Sequence, residues 1–74
     1  MVKQINLKQD QVQHFVTVTS RCNFDIDIYY NSYIVDAKSF LGVYGLDKSH
    51  VLSVSYDGYD SALEELLTSL SIAC

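Results

Sequence analysis

The sequence predicts an α+β domain, a four-stranded antiparallel sheet with helices packed on one face, in the order β-α-β-β-α-β-α. Three observations predict it. Apolar residues alternate at period two through Val2–Leu7, Phe24–Asp36 and Val51–Tyr56. They recur at helical spacing through Asp10–Arg21 and Ser61–Ile72. Asn31-Ser32 separates two strand-like runs by two residues, which makes the middle segment a hairpin.

The first strand rests on Ile5 and Leu7 sharing one face, with Gln4 and Asn6 on the other. In the first helix Val12, Phe15, Val16 and Thr19 form the apolar stripe. Asp10 near its start and Arg21 near its end suit the helix dipole. A two-residue hairpin loop then sets Tyr30 opposite Tyr33, Ile28 opposite Val35 and Asp27 opposite Asp36. The face carrying Ile26, Ile28, Tyr30, Tyr33 and Val35 is expected to be buried. Asp25, Asp27, Tyr29, Ile34 and Asp36 are expected to face water.

The strand ends in a polar corner at Asp36–Ser39. Ser39 offers a hydroxyl where a helix can begin. Gly42 and Gly45 keep the helix Ser39–Tyr44 short, because glycine costs about 1 kcal/mol against alanine in a helix interior. A polar loop around Asp47–His50 leads to the last strand, with Leu52, Val54 and Tyr56 pointing inward. Asp57-Gly58 is a turn signal. Ser61 with Glu64 three residues on reads as a capping box for the last helix. Leu63, Leu66, Leu67 and Leu70 form its stripe.

Seventy-four residues make a single domain, 1–74, with a small core. Nine acids against five bases give a net charge of −4, which disfavours nucleic acid and acidic membranes as partners. The start is too polar for a signal peptide and no apolar run reaches membrane-spanning length, so a cytoplasmic protein is expected. Cys22 and Cys74 form no metal-ligand motif. They read as a semi-buried thiol and a frayed terminal residue. Asp25, Asp27 and Asp36 read as a solvated face, not a metal site.

The stretch Val35–Leu46, VDAKSFLGVYGL, resembles the segment leading into the second helix of HPr, the histidine-containing phosphocarrier of the bacterial sugar phosphotransferase system. Lys38, Ser39, Phe40, Leu41, Gly42, Val43 and Leu46 match that segment in order. The resemblance covers about two-thirds of the chain, chiefly Asp25–Leu46, and is weak before Cys22. It implies an HPr-like open-faced β-sandwich of four strands and three helices. Periodicity alone leaves a ferredoxin-like domain with an extra helix equally open.

The family's carrier site resembles Gly-Ile-His-Ala-Arg-Pro at the start of the first helix. Without a gap, its histidine falls near Lys8, its arginine near Asp10 and its proline near Gln11. None of the three is present, and an aspartate there repels an incoming phosphate. The resemblance therefore implies a divergent relative, a regulatory or protein-binding module without phosphohistidine carriage. The alternative is a working phosphocarrier that uses a non-standard histidine, His14 or His50. An acylphosphatase-like enzyme needs a phosphate-cradling loop with an arginine, and neither the loop nor a suitably placed arginine appears in this sequence.

By the same resemblance, Ser39 matches the serine that HPr kinase/phosphorylase modifies in some relatives. It is the candidate regulatory phosphorylation position, with a plain N-cap as the other reading. Lys38 would add a charge beside it. Phe40, Leu41 and Tyr44 match apolar residues by which the family docks on phosphotransfer partners and on the kinase. The expected partners are proteins, including phosphotransferase-system components or HPr kinase, and no cofactor is implied. The chain reads as a monomer or, through the Tyr29–Ile34 pair, a homodimer.

Overall fold

The fold is described from a computed structural model, which describes residues 1–72. Its strands are β1 (Val2–Ile5), β2 (Ile26–Tyr30), β3 (Tyr33–Asp36) and β4 (Leu52–Tyr56). Its helices are α1 (Val12–Ser20), α2 (Phe40–Tyr44) and α3 (Ser61–Leu70). A single 3-10 turn, Gln9–Gln11, leads into α1. The strands form one antiparallel sheet in the order β1-β4-β2-β3. This is the α+β open-faced sandwich expected of an HPr-like chain.

Strand alternation decides which residues make the core. Ile5, Ile26, Ile28, Leu52, Val54 and Tyr56 lie on the helix-bearing face and are buried. Phe15, Val12 and Val18 from α1 meet them, with Leu63, Leu67 and Leu70 from α3 and Val43 from α2. Leu66, the fourth member of the α3 stripe, is half-buried against this core. The hairpin register is as expected: Tyr30 pairs with Tyr33, Ile28 with Val35 and Asp27 with Asp36. Asn31 takes a φ of 54°, a left-handed value that asparagine tolerates better than most residues.

Tyr33 departs from expectation. Alternation places it on the buried face, yet it is 69% exposed. It sits on β3, the edge strand, at the hairpin tip, and among the described residues no strand lies beyond it. Side-chain alternation sets a direction, but burial also needs something packed above. Val35, two residues on, is half-buried under α2, where a Cβ on Gly42 would lie 3.4 Å from its own Cβ.

The last helix begins one residue earlier than its sequence signal. Asp60, not Ser61, is the N-cap, and its carboxylate accepts the Leu63 amide at 3.0 Å. Glu64 then has no role in a capping box. Its carboxylate accepts the hydroxyl of Tyr56 at 2.6 Å and lies 4.0 Å from Lys3 Nζ. The helix stops at Leu70, short of Ile72, because Ser71 bridges Ile5 and extends the edge of β1.

The other boundaries shift by small amounts. β1 ends at Ile5, although Leu7 is still buried. The 3-10 turn replaces the first turn expected for α1, and Arg21 is the C-cap. β4 starts at Leu52, after an exposed Val51. Cys22 is buried, at 6% exposure, and is more enclosed than expected. Burial pushes its thiol above the ordinary range. Cys74 lies outside the described residues.

Candidate functional site

The short helix α2, with Lys38 and Ser39 just before it, carries the candidate residues taken from the resemblance. It forms because Ser39, in extended conformation, closes its first turn: Ser39 Oγ accepts the Gly42 amide at 3.2 Å. Ser39 itself is exposed. Val43 is the side chain that α2 buries fully, and Gly42 lets the helix approach Val35. The remaining side chains point away from the core.

Phe40, Leu41 and Tyr44 are 43%, 80% and 50% exposed. Phe40 and Tyr44 stack one turn apart, with ring centroids 5.6 Å apart. The result is an apolar patch on a helix of five residues. Isolated exposed apolar residues are ordinary, whereas three on one short element form a contiguous surface.

The two lysines flanking α2 are occupied. Lys38 donates from Nζ to the carbonyl of Cys22 at 2.9 Å, beyond the C-terminal end of α1. Lys48 donates to the carbonyls of Tyr44 and Leu46 at 2.7 and 2.8 Å, closing the C-terminal end of α2. Lys48 Nζ also lies 5.8 Å from the Tyr44 ring centroid. Desolvation pulls its pKa down, against the opposing pull of Tyr44 and Asp47. Lys38 is adjacent to Ser39 in sequence, but its ammonium is spent elsewhere.

The entrance to the first helix is built from Lys8, Asp10 and Gln11. Lys8 is exposed and extended, and its amide is taken by Gln11 Oε1 at 2.9 Å. Asp10 is exposed in the following turn. Neither imidazole is one of these groups. His14 lies within α1, beside a groove of about 260 Å³ lined by Val18, Ala62, Glu65, Leu66 and Ser69. His50 stacks flat on Tyr30, with centroids 4.4 Å apart and planes 6° from parallel. Arg21 caps the opposite end of α1. Arg21 stands thirteen positions after Lys8, across the 3-10 turn and α1, roughly 20 Å at about 1.5 Å per residue.

Tyr30, Tyr33, Gly45, Leu46 and Asp47 line a cleft of about 390 Å³ between the hairpin tip and the loop after α2. Sequence placed Tyr30 opposite Tyr33, but it offered no signal that the Gly45–Asp47 loop would fold against that pair. On the open face of the sheet, Asp27 and Asp36 are paired neighbours and exposed, as is Asp25. No group of three or more His, Cys, Asp or Glu able to hold a metal occurs among the described residues. No helix among them is long and apolar enough to cross a membrane.

Compared with models of protein families the chain matches none, and no curated protein matches it either.

Proposed function

We propose that this chain is an HPr-like regulatory or protein-binding module that docks a partner protein on α2 and carries no phosphohistidine. The observation that carries this reading is the exposed trio Phe40, Leu41 and Tyr44 on a helix too short to bury them. The proposed partners are components of the sugar phosphotransferase system or HPr kinase, in the cytoplasm. This choice of partner rests on the resemblance of Val35–Leu46 alone.

Absence of carriage is supported by the helix entrance. A phosphoryl acceptor there needs an imidazole among free amides with a cation beside it. Lys8 and Asp10 occupy that mouth, and Gln11 already takes the Lys8 amide. Ser39 acts as an N-cap, and its phosphorylation is the regulatory part of the proposal. A phosphate there would meet the start of α2 and alter the charge beside the docking patch.

Three assays test these parts separately. Purified enzyme I and HPr kinase are each tested for binding to the wild type and to Leu41→Asp. Binding by at least one, lost in the variant, is expected; no binding, or equal binding, would refute the docking reading. Incubation with enzyme I and phosphoenolpyruvate should leave His14 and His50 unlabelled. Acid-labile phosphate on either would establish the carrier alternative. Incubation with HPr kinase and ATP should label Ser39, and an unlabelled serine beside a labelled authentic HPr removes the regulatory part.

A further inference from the structure

We propose that the cleft between the β2–β3 hairpin tip and the loop after α2 receives an arginine side chain of the protein that docks on α2. The proposal deepens the docking reading and rests on it. Two tyrosines, Tyr30 and Tyr33, line the cleft, and Asp47 is the one charged residue among its lining. Aromatic faces and a carboxylate together favour a planar cation. His50 already covers one face of Tyr30, so the exposed Tyr33 ring is the one open for stacking. A guanidinium stacks on a phenol ring and pairs with a carboxylate with its full charge, which a neutral group lacks and an anion opposes.

The state of Asp47 fits this role. Its Oδ1 is saturated by the Ser49 amide at 3.0 Å and the Ser49 hydroxyl at 2.6 Å. These bonds hold the loop and keep the carboxyl below its usual range. Among the described residues its Oδ2 meets His50 Nε2 alone, at 3.5 Å, which is long for a hydrogen bond. That oxygen therefore remains available. Lys48, the adjacent cation, is turned onto the Tyr44 and Leu46 carbonyls and is not among the lining residues.

Position supports the same occupant. Gly45 and Leu46 of the cleft follow directly on Tyr44, so one wall of the cleft is the segment that leaves α2. Its volume of about 390 Å³ is near the lower limit for ligand pockets, which suits one long side chain better than a free cofactor. Tyr33 is held out at 69% exposure beside it. The chain as a whole carries a net charge of −4, so a basic partner segment is also favoured at longer range.

The test titrates the ¹⁵N-labelled full chain with N-acetyl-arginine amide, and in parallel with the isosteric neutral N-acetyl-citrulline amide. The arginine derivative should move the amide signals of Tyr33, Gly45, Leu46 and Asp47, and citrulline should not. Asp47→Asn keeps an oxygen for the Ser49 bonds and should weaken the arginine response about two- to fivefold. Equal responses to the two derivatives, or an unchanged response in Asp47→Asn, would overturn a cation site. So would shifts confined to other residues, or none. The blocked arginine derivative reports on the cleft without any partner, whereas Leu41→Asp reports on α2 docking, so the two fail separately.

Discussion

The phenol hydroxyl of Tyr56 donates to Glu64 Oε2 at 2.6 Å, and this bond ties the last strand to the last helix. Tyr56 is almost fully buried, at 3% exposure, and its ring stacks against Phe24. Burial, then the bond to Glu64 and its charge, push the phenol pKa far above the ordinary value of 10.0.

That shift predicts an alkaline limit to stability. The folded state holds the proton more tightly than the unfolded state. The contribution is therefore complete below the unfolded tyrosine pKa of about 10 and is lost as pH rises beyond it. Urea midpoints measured from pH 8 to 11 should fall above pH 10. In Tyr56→Phe that part of the fall should disappear. The variant should itself lose about 1 kcal/mol at pH 7, since Glu64 is left with water and Lys3.

Gly58 is required by closeness. A Cβ there would lie 2.4 Å from Phe24 Cδ1, inside any tolerable contact. Gly58→Ala should cost about 1–3 kcal/mol by forcing the Phe24 ring off Tyr56. Combining it with Phe24→Leu should recover part of the loss, read as a non-additive double-mutant cycle in urea. Strict additivity would contradict the clash.

Thr19 is a buried polar residue of the core, and its hydroxyl donates to the Ala37 carbonyl at 2.8 Å, with the Val16 carbonyl at 3.1 Å. It joins α1 to the corner before α2. Thr19→Val keeps the shape and strands the Ala37 carbonyl, so a loss of about 1–3 kcal/mol is expected. Thr19→Ser should lose less, because the bond survives. A loss in Thr19→Ser as large as or larger than that in Thr19→Val would show that the methyl contact counts for at least as much as the hydrogen bond.

Ser39→Ala should lose about 1 kcal/mol with the cap. Ser39→Asp should stay within about 0.5 kcal/mol of the wild type, since aspartate caps equally well. Thermal or urea unfolding of the two variants makes the comparison. A destabilised Ser39→Asp would mean that negative charge is not tolerated at the start of α2, and would weigh against phosphorylation there.

Period two along the chain determined the strands, the hairpin register and the inward set Leu52, Val54 and Tyr56. Period 3.6 determined α1 and α3, and two glycines limited α2. These are local properties, carried by each residue's own side chain and backbone. Tertiary structure alone decided that Tyr33 stays in water, that Asp60 caps α3 while Glu64 turns to Tyr56, and that Lys38 leaves Ser39 for the Cys22 carbonyl. It also decided that Asp47 closes a cleft with two tyrosines. Each of these depends on which distant segment arrives opposite a side chain, and alternation along one strand or helix carries no information about what packs above it.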